Sequence, residues 1–348
     1  MQVLYYNVFV VPKLIENKRS EVEQYLSPNF SEELFRNYRK FGMDAYNVVF
    51  DRTGNLPHYI NIKSNLHPIP AFDPTFNKSF EEVVKQRALE ILATGKKINV
   101  VWSGGLDSTL ALFALMHYAN DLSQIKVIGT YGSVIESGSL FDKRIKDKIA
   151  YDIKINTKTK ITYTEDDIFV TGFMGNQLFG PTNEFSASGK EKSVMFHHSF
   201  GSPEVMYEPY EKHVNPELLE FIKPAIDASP RKIETICDLR WYCIFNFDWY
   251  TSHYDMASKV DYTKLYHFYD SLDFQKYAIT TKDPWTKDPS DSLTHRWVMR
   301  DLIAEYSGDR DYAYKKKKGI SAFSIPDPNS LFLLEDYSLV VSKSNHNI

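Results

Sequence analysis

Residues 98–115 read INVVWSGGLDSTLALFAL, and this stretch decides the fold of the chain. Its first five residues are mostly apolar and β-branched, which predicts a short buried strand. Two glycines follow, and then an apolar run predicts a buried helix. Glycines let the backbone turn tightly and approach a ligand, while the unpaired amides and the dipole at a helix start favour an anion. The stretch therefore predicts a phosphate-binding loop.

The loop has the donors and the acceptor that a magnesium–phosphate ligand needs. Asp107 can hold Mg²⁺ through a carboxylate oxygen. No lysine follows the glycines, so the loop is not the P-loop of kinases and GTPases, and it also lacks the G-x-G-x-x-G of dinucleotide-binding proteins. The predicted phosphate contacts are the amides of Gly104, Gly105 and Leu106 and the hydroxyls of Ser103 and Ser108.

The sequence SGGLDS resembles the S-G-G-x-D-S loop of the N-type ATP pyrophosphatases, which include asparagine synthetase and β-lactam synthetase. The resemblance covers roughly residues 75–326. It implies that ATP and Mg²⁺ bind, and it implies an α/β fold: a doubly wound, mainly parallel sheet like that of the adenine nucleotide alpha hydrolases, with a helical C-terminal lobe. In such a sheet the second predicted strand, residues 126–131, ends beside the loop, so Thr130 is expected to meet the adenine.

A second strand–turn–helix pattern lies at residues 168–180, IFVTGFMGNQLFG. It resembles the synthetase segment S-G-[DE]-G-x-D-E-x-F-G-G, which implies that Gly172 lies at the nucleotide. Asn176 stands in place of a metal-binding aspartate; it can still ligate magnesium, but it brings no negative charge. Gln177 replaces the usual glutamate. Phe173 cannot act as a base, although the family carries an acidic residue or a tyrosine there. A plain glycine turn remains the alternative.

Two segments further along the chain also resemble the synthetases. Residues 294–300 resemble their K-x-x-L-R helix. Residues 315–323, KKKKGISAF, loosely match R-x-K-x-G-[FV], which implies that Lys317 reaches the reaction centre. A cation there would stabilise the charge that develops on the phosphates and on an acyl oxygen. The alternative is a solvated lysine run.

The resemblance implies an AMP- and pyrophosphate-forming ligase that works in two steps. A substrate carboxylate, or an amide-like oxygen, is adenylated by ATP, and ammonia or an amine then takes the acyl group. Two alternatives stay open. The chain could adenylate a nucleoside or nucleic acid, although its net charge of −4 makes a nucleic-acid partner less expected. It could also be a degenerate ATP-binding protein, as Phe173, Asn176 and Gln177 allow.

The remaining sequence suggests three parts. Residues 1–72 are expected to form a small α+β unit, residues 73–327 the synthetase-like domain, and residues 328–348 a C-terminal extension. The first part contains no cysteine and has Gln2 after the initiator methionine, so it is not expected to be a glutaminase. The nitrogen would then be free ammonia, an amine of the substrate, or ammonia supplied by a partner protein.

Composition agrees with an ordinary globular protein. Hydrophobic residues make up 43% of the chain and charged residues 25%. The chain has two cysteines, Cys237 and Cys243, too few for a disulfide scaffold or a zinc cluster. No apolar run reaches the length that spans a membrane, and no secretory signal is evident. We therefore expect a cytoplasmic enzyme without a membrane partner.

Overall fold

The computed structural model describes residues 51–55, 66–154, 163–180, 205, 207–214, 216–247, 249, 260–281, 296–316, 331–335 and 338–342. The chain divides into two compact units. One comprises Leu66–Asn183 and Lys259–Ser324; the other comprises Met1–Asn65, Glu184–Ser258 and Ile325–Ile348. The predicted three-part division at residues 72 and 327 stays a prediction.

The described elements are numbered in chain order. The strands are β1 (Lys97–Val101), β2 (Ile125–Thr130), β3 (Ala150–Lys154), β4 (Asp167–Thr171), β5 (Leu265–His267), β6 (Leu331–Glu335) and β7 (Ser338–Ser342). The helices are α1 (Phe80–Leu92), α2 (Leu106–Tyr118), α3 (Tyr131–Arg144), α4 (Gly175–Phe179), α5 (Pro216–Asp227), α6 (Ile236–Phe247), α7 (Leu272–Thr280), α8 (Trp297–Ser307) and α9 (Arg310–Lys315).

The first unit is built on a five-stranded sheet in the order β3-β2-β1-β4-β5. Every neighbouring pair is parallel, and helices cover both sides of the sheet. The predicted α/β class with a parallel sheet is therefore confirmed. The strand order reverses between β1 and β4, and ligands of open parallel sheets bind at such a point, outside the carboxyl ends of the strands.

Strand β1 lies at the centre of the sheet, and most of its buried side chains are apolar. Ile98, Val100 and Val101 are buried, and so is Trp102 directly after the strand. Parallel strands covered by helices on both faces are mostly hydrophobic, and in β1 the buried exception is Asn99, whose amide donates to Asp167 Oδ1 at 2.8 Å. Its last residue, Val101, pairs with Thr171, the last residue of β4, and with Ile128, two residues before the end of β2.

Helix α1 begins directly after a serine that caps it. Ser79 is the N-cap, and it forms a capping box with Glu82 because each side chain accepts the other residue's backbone N–H. The buried face carries Phe80, Val84 and Ile91.

In the described part of the chain, no helix is long and apolar enough to cross a membrane.

The second unit contributes two helices and a hairpin to the described residues. Helix α6 is buried on nearly all sides, with Trp241, Tyr242 and Phe245 fully enclosed. The hydroxyl of Tyr242 donates to the carbonyl of Ala225 in α5, at 2.5 Å. Strands β6 and β7 pair in antiparallel fashion, from Leu331 with Ser342 to Glu335 with Ser338.

An ion pair beyond the end of β5, between a partly exposed histidine and a buried aspartate, makes stability depend on pH. Asp270 is buried, and its Oδ2 lies 3.1 Å from Nδ1 of His67. The hydrogen bond to Asp270 raises the pKa of His67 above 6.5. A raised histidine pKa means that the pair stabilises the fold at pH below 6.5 and that this contribution is lost as pH rises through the pKa of the folded state.

We expect the free energy of unfolding to fall between pH 6 and 8 in the wild type, and to fall less in His67→Gln. The difference should stay below about 1 kcal/mol, because solvent screens a partly exposed imidazole. Urea denaturation across this pH range measures it. Equal slopes for both proteins would show that the pair does not couple stability to pH.

Candidate functional site

The predicted phosphate loop lies at the carboxyl end of β1, next to the point where the strand order reverses. The connection from β1 to α2 consists of Trp102, Ser103, Gly104 and Gly105. Gly105 is the N-cap of α2, so no side chain caps the helix at that position. The first amides of a helix have no partner within the helix and favour an anion. The loop thus has the placement that its sequence indicates.

The two serines predicted to contact phosphate also contact each other. Ser103 Oγ lies 3.0 Å from Ser108 Oγ, and the Ser103 amide donates to Ser108 Oγ at 3.1 Å. The amide of Gly105 donates to Ser103 Oγ at 3.3 Å. These bonds close the loop into a compact turn. A ligand that bound the hydroxyls would therefore compete with these internal bonds.

The carbonyl oxygen of Gly104 accepts two hydrogen bonds from side chains of the protein. It accepts the hydroxyls of Tyr312 and Ser137, both at 2.8 Å. Tyr312 also contacts Thr109 Oγ1 at 2.9 Å, and burial raises the pKa of its phenol, which keeps the hydroxyl protonated as a donor. The two donors hold this oxygen in place. Because this oxygen already accepts two hydrogen bonds, it would repel an anion at the helix start less than an unpaired carbonyl would.

Two residues of this contact, Gly104 and Ser137, have unusual backbone conformations. Gly104 has φ +81°, and a Cβ there would lie 2.7 Å from the carbonyl oxygen of Ser133. Ser137 interrupts α3 with a non-helical backbone (φ −144°, ψ 39°). The break in α3 thus falls at the residue whose hydroxyl binds the loop.

The second glycine turn, after β4, packs directly on the start of α2. A Cβ at Gly172 would lie 2.3 Å from the amide nitrogen of Ser108 and 2.6 Å from the carbonyl carbon of Asp107. Thr171 stabilises this turn through its hydroxyl. Its Oγ1 accepts a hydrogen bond from the amide of Phe173 at 3.2 Å and lies 2.6 Å from Nδ1 of His267. The structure thus brings the two glycine motifs of the sequence together.

The two predicted magnesium ligands, Asp107 and Asn176, meet a third residue that the sequence analysis did not identify. Arg296 Nη1 lies 2.5 Å from Oδ1 and 2.7 Å from Oδ2 of Asp107. Arg296 Nη2 donates to Oδ1 of Asn176. Both predicted ligands thus bind one guanidinium.

A magnesium ion fits this arrangement poorly. Both carboxylate oxygens of Asp107 are engaged by Arg296, and a divalent ion placed among them would lie close to a permanent positive charge. Gly175 packs so closely that a Cβ there would lie 2.3 Å from Asp107 Oδ1. Within the described ranges, no group of three or more His, Cys, Asp or Glu side chains could hold a metal ion.

Two further residues were predicted to lie at the site, Thr130 and Lys317. Thr130 ends β2 and caps α3 by accepting the amide of Ser133, at 3.2 Å. Lys317 lies outside the described residues. Lys316, one residue before it, is largely buried; its ammonium pairs with Glu136 Oε1 at 2.9 Å and also donates to the Glu136 carbonyl at 3.0 Å. Glu136 immediately precedes Ser137, so this ion pair lies beside the loop.

The residues missed from the sequence are those that reach the loop from far along the chain. Arg296 is the third residue of the segment 294–300 that resembles the K-x-x-L-R helix, and this resemblance was the available signal for it. Nothing in the sequence singled out Tyr312 or Ser137. Tyr269 donates its hydroxyl to the Asp107 carbonyl at 2.9 Å. No protein-family model matches the chain, and no curated protein matches it in sequence.

Proposed function

We propose that the chain is an ATP-dependent, AMP- and pyrophosphate-forming ligase of the asparagine synthetase-like type. The observation that supports this proposal is the position of the SGGLDS loop, at the carboxyl end of the central strand and beside the reversal of strand order. Ligands of open parallel sheets bind there, and phosphate binds at helix starts. The sheet would then belong to the adenine nucleotide alpha hydrolase-like type.

In this proposal the substrate oxygen attacks the α-phosphorus of ATP. The bond between the α-phosphorus and the bridging oxygen breaks, and pyrophosphate leaves with that oxygen. Ammonia or an amine then attacks the acyl carbon, loses a proton, and expels AMP. ATP enters with its own magnesium ion. The chain would act mainly by positioning the reactants and by stabilising charge.

The proposal gives each part of the loop a role. The amides of Gly104, Gly105 and Leu106 and the hydroxyls of Ser103 and Ser108 would bind the phosphates. Thr130 and Gly172 would lie at the nucleotide, at the ends of β2 and β4. Lys317 would supply the positive charge at the α-phosphate and the acyl oxygen.

A second candidate function is ATP binding without turnover. The contact of Arg296 with Asp107 favours it, because the carboxylate predicted to hold magnesium is already paired. Phe173 favours it as well, since a hydrocarbon ring cannot act as a base. Under this function the nucleotide would bind at the same loop and remain intact.

Product analysis separates the two functions. The full chain is incubated with ATP, magnesium, ammonium and a panel of carboxylic and amino acids, and the nucleotides are separated by anion-exchange chromatography. The ligase produces AMP and pyrophosphate with at least one acid. ADP and phosphate as the products would overturn the assignment, and ATP that stays bound and unchanged with every acid would favour the second function.

We expect the purified chain not to use glutamine as a nitrogen donor. A glutaminase of this kind needs a reactive thiolate, and the two cysteines of the chain are poorly suited to that role. Burial raises the pKa of Cys237 to about 12, and Cys243 is buried. The release of ammonia from glutamine, followed with a coupled assay, should not exceed the blank. A rate that Cys237→Ser abolishes would contradict this expectation.

A further inference from the structure

Asp107, Asn176 and Arg296 form a side-chain cluster whose composition is unusual for a phosphate site. The side chain of Arg296 is 5% exposed and that of Asp107 is 22% exposed. One guanidinium nitrogen binds both carboxylate oxygens of Asp107, and the other binds the amide oxygen of Asn176. One negative charge, one positive charge and a neutral amide leave the cluster without net charge.

The position of Asp107 explains why a cation is needed. Asp107 is the second residue of α2, on the first turn of the helix whose start would bind phosphate. A carboxylate on that turn repels a phosphate unless a cation neutralises it, and charges a few ångströms apart near a protein surface interact strongly. A bound metal ion would serve this purpose. Arg296 already carries a positive charge at the same oxygens.

We propose that Asp107 and Asn176 hold the guanidinium of Arg296 in the place of a divalent metal ion, so that the cation of the phosphate loop is part of the chain. Arg296 is then a positioning residue that neutralises Asp107 and joins α2 to the turn before α4. The part of this proposal that concerns phosphate rests on the proposed function. The part that concerns metal binding does not.

The backbone next to the three side chains supports a fixed contact among Asp107, Asn176 and Arg296. Arg296 is the N-cap of α8 and has φ 56°, and Met174 is the N-cap of α4 and has φ 74°. They are the non-glycine residues of positive φ in the described part of the chain. Tyr269 fixes the Asp107 carbonyl from a third direction. The guanidinium, the carboxylate and the amide are therefore each held by separate elements of the fold.

The first test measures metal binding without any nucleotide. Mn²⁺ is titrated into the full chain and into Asp107→Asn, and free Mn²⁺ is followed by electron paramagnetic resonance. We expect the two proteins to bind Mn²⁺ equally, because Arg296 blocks the site in the wild type. One Mn²⁺ per chain, bound at least about tenfold more weakly by Asp107→Asn, would overturn the proposal. This comparison does not depend on an Arg296 variant that folds.

The second test uses pyrophosphate in EDTA, followed by calorimetry. The wild type should bind it, and Arg296→Met should bind at least about tenfold more weakly, because the exposed carboxylate then repels the ligand. The double variant Arg296→Met, Asp107→Asn should recover most of the affinity. Arg310→Met is the control, since Arg310 is exposed on α9, and it should match the wild type.

The outcomes of the two tests are distinguishable. Pyrophosphate binding that requires magnesium in the wild type would overturn the proposal, and so would an unchanged affinity in Arg296→Met. If no protein binds pyrophosphate with or without magnesium, phosphate binding at the loop is wrong and the proposed function fails with it. The Mn²⁺ comparison would still decide whether Arg296 takes the place of a metal ion.

Discussion

Gly172→Ala is expected to destabilise the protein by about 3 kcal/mol or more and to abolish ligand binding at the loop. Overpacking a buried site typically costs about 1–3 kcal/mol, and the cost rises when backbone atoms must move. The added methyl group would lie 2.3 Å from the Ser108 amide nitrogen and 2.5 Å from the Ser108 Cα. These atoms belong to the start of α2, so the turn after β4 would have to separate from the loop.

Gly138→Ala is the matched control for Gly172→Ala. Gly138 lies within α3, and a Cβ there meets nothing within 4 Å. Alanine is preferred over glycine in a helix by about 0.5–1 kcal/mol, so this variant should be neutral or slightly more stable. Urea denaturation measures both variants. A Gly172→Ala protein as stable as the wild type would show that the two glycine turns are not packed as described.

Lys317→Met is expected to lower kcat by about a hundredfold or more. The loss of one preorganised charge at a transition state typically has an effect of about that size. Methionine keeps an apolar stem of similar length, so packing should be preserved. ATP affinity should change less than kcat, because the charge matters most when it develops on the phosphates and the acyl oxygen. Steady-state kinetics with the substrate found by product analysis gives both values.

Lys315→Met is the control for Lys317→Met. Lys315 is 76% exposed and pairs with Asp311 one turn earlier on α9. Exposed ion pairs contribute little, so this variant should keep nearly full activity. Equal and small effects in both variants would show that Lys317 does not act at the reaction centre. The ligase would then lack an identified electrophilic residue, and ATP binding without turnover would be favoured.

Local patterns explain what the sequence could predict. The strand, the turn and the buried helix of residues 98–115 each follow from apolar periodicity and glycine placement, and the structure has them as β1, the Ser103–Gly105 loop and α2. The turn between β4 and α4 follows from the same kind of pattern. Because parallel strands end at one edge of the sheet, their order also brings Gly172 to the loop.

Contacts between distant residues explain what the sequence could not predict. Arg296 binds a carboxylate 189 positions earlier in the chain, and Tyr312 binds the Gly104 carbonyl 208 positions earlier. Neither contact leaves a periodic or composition signal, because each depends on how α8 packs on α2 and on α9. The same physics makes Asp107 ambiguous from sequence alone: a carboxylate on a phosphate loop needs a cation, and a metal ion or an arginine can supply it.

The exchange of labelled pyrophosphate into ATP tests the central claim most directly, because it reports the adenylation step without requiring the amine. The full chain is incubated with ATP, magnesium, labelled pyrophosphate and one carboxylic or amino acid at a time. The proposed function predicts exchange that depends on one acid or on a small group of related acids, and that is lost in Lys317→Met. Exchange no greater than the blank with every acid, from a folded protein that binds ATP, would contradict the ligase assignment.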